Sequence, residues 1–79
     1  MSLDFTASVR RAQAGDAGAF AELYSLVYKD LYRIALLNLN HQHDASDVVS
    51  DTVLEAYTSI SKLRDEKAFK AWIIKILTV

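Results

Sequence analysis

At 79 residues the chain has room for one small domain and no second core. Hydrophobic residues make up 52% of it, with two Gly, no Pro and no Cys, which excludes a disulfide framework, a thiolate nucleophile and cysteine zinc sites. A net charge of −1 singles out no partner class, and no apolar run approaches the roughly 18 residues of a membrane span.

Apolar spacing reads as helix nearly throughout, because almost nothing in the composition interrupts helices. A first helix is predicted from about Asp4 to Ala14, with Phe5, Val9 and Ala12 on one side. Gly15 then supplies the left-handed residue that ends helices, and Asp16 caps the next one. The second helix runs from about Ala17 to Leu39. Phe20, Leu23, Tyr24, Val27, Leu31, Ile34 and Ala35 form its core stripe. A second stripe of Tyr28, Tyr32, Leu36 and Leu39 lies about 100° around, which predicts a central helix packed on both sides.

Asn38, Asn40, His41, Gln42 and His43 form a polar break. Asp44 is the N-cap of a third helix, with Asp47 in its first turn and Val49, Val53, Ala56, Ile60 and Leu63 as core stripe. Asp65 caps a fourth helix carrying Phe69, Trp72, Ile73 and Ile76. That helix runs apolar to Val79, which reads as a truncation. No strand alternation competes, so the expected fold is all-α, a small bundle of three to four helices.

Charge is unevenly placed. Asp44, Asp47, Asp51 and Glu55 follow one another with no basic residue between them. Lys62, Arg64, Lys67, Lys70 and Lys75 then face only Asp65 and Glu66. Asp47, Asp51 and Glu55 recur at every fourth residue, a like-charge row that destabilises a helix by roughly 0.2–0.5 kcal/mol a pair. Leu54 projects beside this row. An acidic ridge with an apolar neighbour suits a basic, partly apolar partner, although spacing alone favours a plain solvated face. Cations around Phe69 and Trp72 suit single-stranded nucleic acid, with phosphates on the charges and bases on the rings. Taken alone, the same aromatic residues describe an ordinary buried stripe. His41 and His43 make at best an incomplete metal site and are better read as loop residues. No nucleophile elbow, phosphate-binding glycine loop or metalloprotease pattern is present, so neither an enzyme nor a cofactor is expected.

Three segments carry a resemblance. Gln13-Ala14-Gly15-Asp16-Ala17-Gly18-Ala19-Phe20-Ala21-Glu22-Leu23-Tyr24 resembles the opening of the extracytoplasmic-function group of the sigma-70 family. Asp44 through Tyr57 and then Leu63 through Ile73, with its Ala68-Phe69-Lys70-Ala71-Trp72-Ile73 run, continue the match in the same order. The resemblance implies that residues 1–79 are a region 2 domain, with the basic extension and the −35-reading domain absent. It implies that Asp47, Ser50, Asp51, Leu54 and Tyr57 bind the basic coiled coil of the RNA polymerase β′ clamp. It implies that the loop Ser61 to Lys67, with Lys62, Arg64 and Lys67, and then Phe69, Lys70 and Trp72, engages the −10 promoter element as single-stranded non-template DNA, with Trp72 partly structural. An anti-sigma protein is a further implied partner, and the cytoplasm the implied location. The sequence departs from the family pattern with Ser50 for Gln, Asp51 for Glu, Glu55 for a basic residue and Asp65 for a common Gly. The competing expectation is a sigma-like module that binds only protein partners.

Overall fold

The computed structural model describes residues 5–38 and 44–78. It holds four helices: α1 (Thr6–Gln13), α2 (Ala17–Asn38), α3 (Ala45–Ser59) and α4 (Phe69–Thr78). Two single 3-10 turns, Ile60–Lys62 and Glu66–Ala68, lie between α3 and α4. Among the described residues there is no strand, and no helix is long and apolar enough to cross a membrane.

Local chemistry sets the helix ends. At the end of α1, the Gly15 N–H donates to the Ala12 carbonyl and the Asp16 N–H to that of Arg11, both at 3.0 Å. This reciprocal pair closes the last turn and requires a residue with positive φ between helix and exit. Gly15 takes that place at φ +103°. The Asp16 carboxylate accepts from the Ala19 N–H at 3.1 Å and starts α2. Asp44 does the same for α3, accepting from the Ser46 N–H at 2.9 Å. The expected starting residue Asp4, together with Leu39, Asn40, His41, Gln42, His43 and Val79, lies outside the described residues.

α2 touches each of the other three helices. Its buried residues are Ala19, Phe20, Leu23, Val27, Leu31 and Ala35, close to the expected stripe, with Tyr24 and Ile34 at its half-buried edges. Val9 of α1, Val49 and Ala56 of α3, and Phe69 and Ile73 of α4 close over this seam with almost no exposure. Burying an aliphatic or aromatic side chain of this size contributes about 1.5–3 kcal/mol. Thr52, buried among them, donates its hydroxyl proton to the Val48 carbonyl at 2.8 Å, so no polar group is left unmatched there.

Among the described residues, no element covers the second stripe of α2 at Tyr28 and Leu36. All three neighbours gather on one side, leaving Tyr28, Leu36 and Leu37 exposed, Leu37 at 78%. Tyr24, Tyr28 and Tyr32 meet one another along the helix, the first pair tilted and the second edge to face, with ring centroids 5.8 and 6.4 Å apart. α3 also ends earlier than its stripe suggested. It tightens into the first 3-10 turn at Ile60, and Leu63 is extended, so Leu63 packs on the core from a loop.

A Cβ at position 15 would meet nothing within 4 Å, so a substitution there costs only backbone strain. Gly15→Ala is expected to lower stability by about 1–2 kcal/mol, the cost of a left-handed conformation for a non-glycine residue. Urea denaturation measures it, and an unchanged midpoint would show that the turn relaxes.

Candidate functional site

The first candidate surface is the outward side of α3. Asp47, Ser50, Asp51, Leu54 and Tyr57 are all exposed, Leu54 at 66%. Steps of three and four residues put them on one strip. Tyr57 is held at its inner margin by Phe20 of α2, ring edge against ring at 5.1 Å. Among the described residues no ion pair neutralises Asp47, Asp51 or Glu55. Glu55 leaves the strip, however. Each four-residue step turns roughly 40° around a helix, so the acidic row slants toward α4. There Glu55 lines an open groove of about 520 Å³ with Trp72, Lys75 and Ile76.

The second candidate surface is the segment from 61 to 67 with α4. Lys62, Arg64 and Lys67 are exposed, and no ion pair with another described residue engages them. Asp65 shapes the segment by accepting from the Lys67 N–H at 3.0 Å. Its backbone sits at φ −108°, ψ 103°, an extended conformation open to any residue. The Asp that replaces a common Gly is therefore unstrained.

Phe69 requires a correction. It is fully buried, its ring 5.6 Å from Phe5 and 6.0 Å from Trp72, and it offers no surface to a base. Its place at the first turn of α4, against the Phe5 ring that precedes α1, makes it a core residue. Trp72 is half-buried against it, and so combines a packed edge with an exposed one.

Lys70 does not stand free either. Its ammonium meets the Asp30 carboxylate of α2 at 2.7 Å, and Arg33 approaches the same carboxylate at 3.7 Å. Four residues that sequence reasoning left without a role thus shape this surface: Asp30, which holds Lys70; Gln13, whose side-chain amide donates to the Ile60 and Leu63 carbonyls at 2.9 and 2.8 Å; and Arg10 with Glu66, paired at 3.0 Å. Gln13 stands inside a quoted motif, but no helical periodicity links any of these partners along the chain.

Both paired carboxyls are held below their ordinary range. For Asp30 the main cause is the hydrogen bond from Lys70, followed by its charge. For Glu66 it is the hydrogen bond from Arg10, followed by a backbone hydrogen bond. A lowered carboxyl stabilises the fold above the unfolded carboxylate range and loses that contribution as pH falls through the lowered value. Lys70→Met is expected to raise the Asp30 midpoint in a carboxyl-carbon NMR titration, and Arg10→Met that of Glu66. Midpoints that stay put would mean the pairs do not persist in solution.

Comparison with known proteins follows the same lines. A family model described as Sigma-70 region 2 matches residues 20–78. The chain is 28% identical over 71 residues to the ECF RNA polymerase sigma factor SigW of Bacillus subtilis, covering 89% of this chain and 37% of that protein. It is 37% identical over 70 residues to the ECF RNA polymerase sigma-E factor of Haemophilus influenzae, covering 89% and 36%. With the ECF RNA polymerase sigma factor SigM of Mycobacterium tuberculosis it shares 31% over 64 residues, covering 81% and 33%. The chain therefore spans about a third of the length of these relatives. No solved structure matches it significantly. The all-α bundle, the matched segment and these relatives together place the chain in the sigma-70 family, as a region 2 domain of the extracytoplasmic-function group.

Proposed function

We propose that this domain works in transcription initiation, docking on core RNA polymerase through α3 and holding the −10 element as unpaired non-template DNA with the 61–67 segment and α4. The observation that carries the reading is the separation of charge on the exposed surface. Asp47 and Asp51 stand beside Ser50, Leu54 and Tyr57 on one helix, while Lys62, Arg64 and Lys67 project from the connection that follows it. A basic coiled coil, such as that of the polymerase β′ clamp, complements the first set in both charge and apolar contact. Phosphates complement the second, and the exposed edge of Trp72 offers a wall for a base.

The mechanism is binding without covalent chemistry. A surface that prefers the separated strand over the duplex shifts promoter DNA toward the open state by that difference in affinity. Unstacking a base costs a few kcal/mol, and contacts to the extruded base supply the selectivity. The site needs no cofactor, and the location that follows is the cytoplasm. A second reading has one observation in its favour: Tyr28 and Leu36, two four-residue steps apart on one strip of α2, are left exposed by the described elements. A helix from a protein partner, such as an anti-sigma protein, would bury that strip.

Asp51→Arg is expected to weaken binding to an isolated β′ coiled-coil fragment by at least about tenfold, or roughly 1.4 kcal/mol. Equal binding by both proteins would remove the α3 strip as docking face, and no binding by either would remove the polymerase reading. Trp72 fluorescence is expected to respond to a single-stranded −10 oligonucleotide more strongly than to a scrambled one, and identical responses would end the base-reading claim. Asp30→Asn releases Lys70 and removes a charge that repels phosphate. It is expected to tighten oligonucleotide binding and to steepen its salt dependence by up to about 0.7 in log–log slope, one further phosphate contact. Binding weakened by Asp30→Asn would instead mean that the pair presents Lys70 to DNA.

A further inference from the structure

We propose that α1 sets base discrimination at a distance: Gln13 and Arg10 are positioning residues that clamp the two ends of the 61–67 segment. This rests on the reading that the segment contacts unpaired bases. Gln13 is the last residue of α1, and its single amide nitrogen donates to the carbonyls of both Ile60 and Leu63, at 2.9 and 2.8 Å. These carbonyls lie at the 3-10 turn that follows α3 and at the extended residue after it, so for the Leu63 carbonyl no continuing helix supplies a donor. Ile60 also accepts from the Leu63 N–H at 3.1 Å. For the partly buried Leu63 carbonyl the Gln13 amide is the donor.

Three residues earlier on α1, and hence on the same side of that helix, Arg10 holds Glu66 through Nε at 3.0 Å. The two attachments bracket the segment, and Lys62, Arg64 and Lys67 stay exposed. Only a terminal amide has two protons on one nitrogen without a charge. Glu keeps the length of Gln but presents acceptors to two carbonyls, and Asn is one methylene shorter. The clamp comes from outside residues 20–78, the part that matches the family model.

A segment held at both ends is already ordered when a strand arrives, so correct and incorrect bases meet one shape. A free segment pays its ordering cost on binding and adapts to either. Discrimination should therefore depend on Gln13 more strongly than affinity for the polymerase does.

The test uses the 79-residue chain with Gln13→Met, which keeps the side-chain bulk and removes the donors. Amide hydrogen exchange is read at Leu63 to Ala68 and, as an internal control, at Val27 and Leu31. Affinity is read for the −10 and scrambled single-stranded oligonucleotides and for the β′ coiled-coil fragment. Exchange in the segment should rise at least about tenfold with the core unchanged. The ratio of −10 to scrambled affinity should fall about fivefold or more, with coiled-coil binding unaltered. Unchanged segment exchange overturns the clamp. Faster exchange with an unchanged ratio overturns its role in discrimination. A wild-type chain that does not discriminate removes the base-reading proposal itself, a failure visible before any variant is compared. Should Gln13→Met also loosen Val27 and Leu31, Arg10→Glu, which alters only the exposed pair, carries the test. The double variant Arg10→Glu/Glu66→Arg should then restore the ratio, and failure to restore it would overturn the assignment of Arg10.

Discussion

Leu23, Val27 and Leu31 lose essentially all contact with water only because α1, α3 and α4 converge on the same side of α2. In a domain this small each buried side chain is a large share of the net stability, since total stabilities are only about 5–15 kcal/mol. Phe69, Ile73, Val49 and Val9 complete the seam from three directions. Its geometry decides where everything else lies. It turns the charged side of α3 outward, places the 3-10 turn before α4 against α1, and brings the connection between α3 and α4 within reach of Gln13 and Arg10.

That arrangement separates packing from recognition along a few short elements. Phe69 and Trp72 are three residues apart on α4, yet one ring is sealed in the core while the other keeps an exposed edge. The Trp72 ring is braced on its inner side by Phe69, and through it by Phe5. Asp47 and Asp51 likewise stand on a helix whose opposite side carries Val49 and Ala56 into the core. Their charges are unneutralised among the described residues because the ion pairs bind elsewhere: Arg11 to Glu22, Arg10 to Glu66, and Lys70 with Arg33 to Asp30. Such exposed pairs add little stability each. Their effect is on which charges remain available at the surface.

Exposed apolar residues mark the other consequence of one-sided packing. Tyr28 and Leu36 lie on one strip of α2 and Leu37 on another, and the described elements leave all three exposed. A third of the length of its relatives thus presents an acidic strip, a basic connection and exposed apolar residues on one four-helix frame.

Helix number, helix type and most helix ends were legible in the sequence, because they follow from short-range chemistry. Gly15, Asp16, Asp44 and Asp65 each act on neighbours within three residues, and the stripes of α2 and α3 repeat at the helical period. Exposure of Asp47, Asp51, Leu54 and Glu55 was legible for the same reason, one helix with one apolar side turning the other outward, whereas Ser50 and Tyr57 were singled out by the family resemblance alone. What tertiary structure alone decided is everything that depends on which elements meet. Periodicity places Phe69 and Trp72 on one stripe but does not say which ring is sealed. Two apolar stripes on α2 do not say that only one is covered. Gln13 reaches Ile60 and Leu63, Arg10 reaches Glu66, and Asp30 reaches Lys70 only once distant segments have packed on a common core. Contacts across such separations leave no trace in a local pattern, because their existence depends on the relative placement of whole helices.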